Sequence, residues 1–160
     1  MLTRFEYKLV GTGWARVYFS DGIVDSEFTV SYLSDPIRDL LCACISLLDG
    51  GVEEQEISFC DEPGETKLSL KPIASGELEI VLERCDDCIG LVPEPFGSFE
   101  LIFTTKMPTV SFIQIVKGLC DRLLLENGKA GYKTKWCSHF PTRSFNSLMM
   151  RLNSITRDGG

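Results

Sequence analysis

The chain has 160 residues and a formal net charge of −7, from 16 Lys and Arg side chains against 23 Asp and Glu. Hydrophobic residues make up 44% of the sequence and charged residues 24%, a composition typical of a folded protein rather than a disordered one. The acidic balance also argues against sequence-independent nucleic-acid binding, which draws its affinity from the neutralisation of phosphates. We therefore expect a single domain over residues 1–160 with no direct nucleic-acid partner.

The charges are segregated along the chain. Residues 1–50 carry a net charge of −3, residues 51–100 carry 3 basic and 13 acidic side chains, and residues 101–160 carry a net charge of +6. Clustered like charge repels itself and steers oppositely charged molecules toward it. The pattern indicates a charged partner that docks on one side, and the alternative is an acidic sheet face that meets only solvent.

The cysteines and the apolar runs indicate the compartment. The longest apolar runs are far shorter than the ~20 residues needed to span a bilayer. The first residues, Met1 to Tyr7, lack the apolar core of a secretory signal. Seven cysteines are scattered without the spacing of a disulfide framework. We expect reduced thiols, a cytoplasmic location and no membrane partner.

The N-terminal third predicts a β-hairpin followed by a helix. Apolar residues alternate on both sides of Ser20-Asp21-Gly22, and Asp-Gly supplies the positive φ angles of a tight turn. Ser34-Asp35-Pro36 then provides a helix cap with proline in the first turn, and Gly50-Gly51 provides a stop. The strands and the helix are expected over residues 13–19, 23–32 and 37–48.

The middle third predicts a four-strand meander, with strands near residues 53–60, 66–73, 77–84 and 98–105. Its first two turns are expected at residues 61–65 and at Ala74-Ser75-Gly76. In the third strand, apolar residues share one face and Glu77, Glu79 and Glu83 share the other, which predicts a sheet with one dry and one acidic face. The stretch from Cys85 to Gly97 is expected to be a long loop, a type of segment that often carries function.

The C-terminal third predicts two further helices. Helical spacing of apolar residues runs from Phe112 to Leu124 and stops at Asn127-Gly128. We expect a strand or an extended arm over Gly131 to Trp136, then a helix capped by Thr142, and a frayed tail at residues 157–160. The whole describes an α+β fold: an antiparallel sheet of about six strands (the N-terminal hairpin plus the meander), with two or three helices packed on one face.

One cysteine and histidine constellation has the composition of a metal site. Cys85 and Cys88 have the spacing of half a zinc site, and Cys137 and His139 offer a third and a fourth ligand. Because the second pair has unusual spacing, we favour buried or loop thiols and expect no metal and no cofactor. A metal-dependent enzyme that uses this loop or the clustered carboxylates is kept as an alternative.

Four aromatic residues are candidates for a pocket or an interface anchor, because Trp and Tyr dominate interface hot spots: Trp14, Tyr18, Trp136 and Phe140. The alternative, which we favour, is that these rings belong to the core.

Several motifs together resemble a group of small bacterial cytoplasmic proteins, some of which are immunity proteins of contact-dependent inhibition and related polymorphic toxin systems. The motifs are Trp14-Ala15-Arg16-Val17 before Asp21-Gly22, Tyr32-Leu33-Ser34-Asp35-Pro36 before Asp39-Leu40-Leu41, Phe59-Cys60-Asp61-Glu62-Pro63-Gly64-Glu65, and Gly131-Tyr132 with Trp136. The resemblance implies a binding protein, not an enzyme, that neutralises a toxin domain delivered from a neighbouring cell. It carries over no catalytic residue.

The charge pattern agrees with that implication, since many such toxins are nucleases with basic grooves and an acidic surface steers association with them. The partner is then a cognate, basic toxin domain. The candidate contact residues are the acids of the middle third: Glu54, Glu56, Asp61, Glu62, Glu65, Glu77, Glu79, Glu83, Asp86 and Asp87. A structural or regulatory homodimer, with the basic C-terminal third against the acidic middle, is the alternative.

Overall fold

The computed structural model describes residues 1–51, 53–73, 76–88 and 97–158. These residues form seven strands and three helices, which confirms the predicted α+β class with antiparallel strands. The elements are β1 (Arg4–Leu9), β2 (Trp14–Ser20), β3 (Asp25–Ser31), α1 (Pro36–Leu48), β4 (Gln55–Cys60), β5 (Glu65–Ile73), β6 (Glu77–Cys85), β7 (Glu100–Pro108), α2 (Thr109–Trp136) and α3 (Thr142–Asp158).

The strands lie in two sheets, ordered β1-β2-β3 and β4-β5-β6-β7, where the sequence predicted one sheet of about six strands. The additional strand is β1, whose Phe5 and Tyr7 are buried while Arg4 and Lys8 face outward, the two-residue alternation of a half-buried strand. Helix α1 follows β3 and precedes β4 in the chain. The predicted hairpin, extended by β1, and the predicted meander belong to different sheets.

Both local signals of the N-terminal third are confirmed. Asp21 Oδ1 accepts hydrogen bonds from the main-chain nitrogens of Ile23 and Val24, at 2.9 and 2.8 Å, and so closes the loop between β2 and β3. The Asp35 side chain accepts a hydrogen bond from Arg38 N at 3.4 Å and caps α1, which has proline in its first turn. Helix α1 ends at Leu48, just before the predicted glycine stop.

The two sheets share one core. Aromatic rings connect them: Phe28 of β3 packs edge-on against Phe59 of β4, with ring centroids 5.5 Å apart, and Phe19 of β2 lies 6.4 Å from Phe103 of β7. Helix α1 packs against β4, helix α2 packs against β1 and β7, and helix α3 packs against α1. The core therefore lies between the inner faces of both sheets and the apolar faces of α1, α2 and α3.

The prediction of a strand or arm over Gly131 to Trp136 is wrong, because this segment is the end of α2. Asn127-Gly128 does interrupt the helix, and Gly128 has φ 64° and ψ 173°. Helical geometry resumes after it since Tyr132 and Trp136, one turn apart, are both fully buried. Trp136 packs edge-on against Tyr7, with ring centroids 5.8 Å apart.

Three predictions fall wholly or partly on residues outside the described ranges. Residues 74 and 75 of the second predicted turn and residues 89–96 of the predicted loop lie outside them. Helix α3 extends to Asp158, and the last two residues of the predicted frayed tail also lie outside the described part of the chain.

Candidate functional site

The outer face of the four-stranded sheet carries both signs of charge. Glu79 and Glu83 of β6 stand opposite Lys71 and Lys67 of β5 in the ladder. Lys67 Nζ also lies 3.6 Å from Glu56 Oε1, and Lys106 Nζ of β7 lies 3.7 Å from Glu79 Oε1. Within the predicted stripe, Glu79 is therefore flanked by lysines on both neighbouring strands and Glu83 by a lysine on β5, whereas Glu77 stands at the end of the ladder without one opposite it. Exposed pairs of this kind neutralise much of one another's field.

The structure separates the predicted contact residues into three places. Glu56, Glu79 and Glu83 lie on the outer sheet face, while Glu54 and Glu77 are exposed at the end of the sheet where β4 and β6 begin. The other five lie at the opposite end, where β4 and β6 finish and β5 begins. We call these five the acidic loop cluster: Asp61, Glu62, Glu65, Asp86 and Asp87.

Arg84 organises the acidic loop cluster. Its Nη2 donates to Asp61 Oδ2 at 2.7 Å, its Nε donates to Asp86 Oδ1 at 2.9 Å, and its Nη1 donates to Thr66 Oγ1 at 3.1 Å. Although partial burial alone would lower the pKa of the guanidinium, hydrogen bonds to Asp61 and Asp86 raise it. The Asp61 side chain is only 9% exposed, whereas Asp86 is 90% exposed. Arg84 thus holds one buried and one exposed carboxylate.

The two loops of the cluster are tied together through the main chain. Cys88 N donates to Pro63 O at 2.9 Å, and Asp61 N donates to Gly64 O at 2.9 Å. Gly64 is needed at this point, because a Cβ there would overlap Asp61 Oδ1 and lie 3.0 Å from Cys85 O. The carboxylates of the cluster are consequently presented on a fixed backbone.

Cysteines 85 and 88 begin the predicted long loop, but their environment disfavours thiolate chemistry. Cys85 is buried, and its Sγ donates to Gly97 O at 3.2 Å. Desolvation, the neighbouring Cys85 thiol and nearby carboxylates together raise the pKa of Cys88 to about 12. Since the thiolate is the form that attacks disulfides and binds metals, the raised pKa disfavours reaction of Cys88 at neutral pH.

The candidate zinc ligands are not brought together. Cys137 is the left-handed cap at the end of α2 and His139 follows it, both exposed, whereas Cys85 and Cys88 lie at the end of β6. Within the described ranges, no group of three or more His, Cys, Asp or Glu side chains is placed to hold a metal ion.

The four aromatic candidates divide between the core and the surface. Trp136 and Phe140 are buried, as the core interpretation predicted. Tyr18 lies on the outer face of the three-stranded sheet, where the guanidinium of Arg4 sits 4.8 Å from its ring centroid. Trp14, the first residue of β2, is 38% exposed. It is therefore the member of this set that remains a candidate interface anchor.

A cleft of about 460 Å³ lies along the junction where α2 packs against β1. Its charged groups are engaged within the chain: Arg122 donates to Phe5 O at 3.3 Å, and Glu6 pairs with Arg4 at 2.9 Å. A second partner of Glu6 is Lys8, at 2.9 Å. The two cations and their hydrogen bonds lower the pKa of Glu6 to about 2, so this carboxylate stays ionised.

Sequence reasoning missed two residues of the acidic end of the sheet. The first is Arg84, which organises the cluster. The second is Glu100, which stands opposite Arg84 in the β6–β7 ladder. An isolated arginine in a strongly acidic segment was the available signal for the first. The position of Glu100 opposite Arg84 depends on a register shift between Leu82 and Glu83, which only the structure reveals.

Among known proteins, the chain is similar to a chain of one solved structure. No family model matches the chain, and no curated protein matches it. Among solved structures, one chain of the "CdiA-CT/CdiI toxin and immunity complex from Enterobacter cloacae" matches with a TM-score of 0.42 and 11% sequence identity, covering 74% of this chain and 99% of that chain. None of the helices in the described residues has the length and apolar content needed to cross a membrane.

Proposed function

We propose that this chain is an immunity protein, which binds a cognate bacterial toxin domain one-to-one in the cytoplasm and neutralises it without catalysis. The observation that carries the proposal is the acidic loop cluster. Of its five carboxylates, Glu62 and Asp86 are exposed, and the two loops that carry them are tied to each other and to Arg84. A preorganised negative surface steers and holds a basic partner such as a nuclease domain.

The cluster suits binding better than the sheet face does. On the face, lysines of β5 and β7 stand beside the glutamates and screen them. In the loops, Glu62 and Asp86 are exposed at the end of the sheet, and a single arginine, Arg84, is shared between Asp61 and Asp86. The loops therefore project more uncompensated negative charge toward a partner.

The proposal expects a toxin gene beside the gene for this chain, and the test uses the inactivated domain that such a gene encodes. We expect a one-to-one complex whose association rate falls steeply as salt rises. The charge-reversal pair Glu62→Lys and Asp86→Lys should slow association at low salt at least about tenfold, because it removes the steering field. The matched control is Glu54→Lys with Glu77→Lys, the same change of charge at the other end of the sheet.

Failure of the wild-type chain to bind or protect against that toxin domain overturns the proposed function. Equal slowing by both variant pairs would show that overall charge matters, and would remove the acidic loop cluster as the site.

A further inference from the structure

An exposed apolar patch lies at the end of the three-stranded sheet. We call it the aromatic corner: Val10, Trp14, Tyr32 and Leu33. Their exposed fractions are 36%, 38%, 57% and 60%. Val10 and Trp14 meet across the β1–β2 turn, where Val10 N donates to Trp14 O at 2.9 Å. Contiguous exposed apolar groups that include Trp and Tyr are typical of interaction surfaces.

The backbone beneath the aromatic corner is held in place from two sides. Gly13 N donates to Lys135 O at the end of α2, at 2.6 Å, and Tyr32 N donates to Gly13 O at 3.0 Å. Gly13 has φ +76°, and a Cβ there would lie 2.8 Å from the Tyr32 ring, so the ring rests on the glycine. The corner is preorganised, which reduces the entropy lost when a partner docks.

The aromatic corner adjoins the acidic loop cluster. Leu33 is followed by Ser34, whose Oγ accepts a hydrogen bond from Cys60 N at 3.1 Å. Cys60 in turn precedes Asp61, the buried member of the cluster. One hydrogen bond therefore joins the apolar patch of one sheet to the carboxylates at the end of the other.

The charges around the corner decide what covers it. Cations lie on its other side, since the exposed Lys133 and Lys135 belong to the last turn of α2 and Lys135 Nζ donates to Asn127 Oδ1 rather than to a carboxylate. An anionic membrane would be repelled by the adjoining cluster. A protein domain with an apolar projection, a basic surface on the side of the acidic loop cluster and acidic groups on the side of Lys133 and Lys135 complements both neighbours.

We propose that the aromatic corner is the apolar anchor for the same basic toxin domain, and that the acidic loop cluster beside it steers the encounter. This inference rests on the proposed function and adds a division of labour. The cluster sets the association rate through its field, whereas the corner sets the dissociation rate through desolvated apolar contact.

The experiment measures both rate constants for the same inactivated toxin domain. The variant is Tyr32→Ser with Leu33→Ser, because both side chains are exposed and the change leaves the core intact. We expect dissociation to become about thirty-fold faster or more, with the association rate changed less than about threefold. The control is Leu125→Ser, an exposed leucine on α2, which should leave both rates unchanged.

The outcomes separate the two proposals. If the wild-type chain does not bind the toxin domain, the proposed function and this inference both fall. If it binds and the Tyr32/Leu33 variant dissociates at the wild-type rate, this inference alone falls. A second readout guards against unfolding: Trp14→Phe retains an aromatic ring and should keep most of the affinity, and loss of binding by a folded Trp14→Phe variant equal to that of Trp14→Ala would contradict an apolar anchor.

Discussion

The main-chain nitrogen of Cys60 donates a 3.1 Å hydrogen bond to the side-chain oxygen of Ser34, 26 residues earlier in the chain. This contact connects the end of β4 to the segment that leads into α1, and therefore connects the two sheets at the surface. It stands beside the aromatic core contact between Phe28 and Phe59. The relative position of the acidic loop cluster and the aromatic corner depends on this junction.

Removing the acceptor should weaken the junction. Ser34→Ala leaves the partly buried Cys60 N–H without its partner, and we expect a loss of about 1 kcal/mol in the free energy of unfolding. Urea denaturation measures the change. Ser138→Ala, at an exposed position between α2 and α3, is the control. Equal midpoints for the two variants would show that the hydrogen bond contributes nothing.

Arg84 should be important for stability as well as for the surface. Arg84→Met leaves the nearly buried Asp61 carboxylate without its cation, and we expect a loss of about 2–3 kcal/mol, discounted from a fully buried pair because Arg84 is 32% exposed. The double variant Arg84→Met with Asp61→Asn should recover part of the loss, since it also removes the stranded charge. Additive losses in a denaturant series would contradict a direct pair.

The ion pairs of Glu6 with Arg4 and Lys8 predict a specific pH dependence of stability. Arg4 and Lys8 lower the folded-state pKa of Glu6 to about 2, below the ~4.3 of an unfolded glutamate. A depressed pKa stabilises the fold above the unfolded value, and this contribution is lost as the pH falls from about 4.5 to 2. Glu6→Gln should therefore destabilise the protein at pH 7 and much less at pH 2.5. Thermal melts of the wild-type protein and the variant at the two pH values test this. A difference in melting temperature that is the same at both pH values would refute it.

Two glycines of α2 should respond in opposite directions to the same substitution. A Cβ at Gly128 or at Gly118 would meet nothing within 4 Å, but Gly128 has φ +64° whereas Gly118 lies in regular helix. Gly128→Ala should cost about 1–2 kcal/mol of unfolding free energy through backbone strain. Gly118→Ala should add about 0.5–1 kcal/mol. Denaturant midpoints that shift in the same direction would show that the helix re-forms without its break.

The cysteines should divide by reactivity rather than by exposure alone. Cys42 and Cys137 are exposed, and we expect them to be alkylated first at pH 8. Cys44 and Cys120 are buried, and burial raises the pKa of both thiols, to about 12 for Cys120. Cys88 is exposed, yet its raised pKa should keep it slow. Mass spectrometry of peptides after brief iodoacetamide treatment gives the order, and rapid labelling of Cys88 would overturn that part.

Local signals predicted most of the fold. The hairpin around Asp21, the cap at Asp35 and the alternation of Leu78, Ile80 and Leu82 with glutamates depend on neighbours within a few residues, and each is confirmed. Strand β1 was missed because its alternation is short and lies at the N-terminus. The helix over Gly131–Trp136 was missed because a glycine stop precedes it, and tertiary burial of Tyr132 and Trp136 prevailed over that stop.

The candidate site was predicted less completely. Sequence identified the acids of residues 51–100 but treated them as one surface. In the structure, ladder register sets Lys67 and Lys71 beside Glu83 and Glu79, while Asp61 and Asp86 gather around Arg84 at one end of the sheet. Charge counted along the chain cannot distinguish these places, because a field depends on distances through space.

Composition, alternation and caps by themselves determined an acidic α+β protein with antiparallel strands, since those signals act over one turn or one strand. Only the tertiary structure decided that there are two sheets, that Trp14 and Tyr32 form an exposed corner, and that Ser34 brings this corner to the acidic loops. These features depend on contacts between residues far apart in the chain, whose pairing is selected by packing of the whole core rather than by local preference.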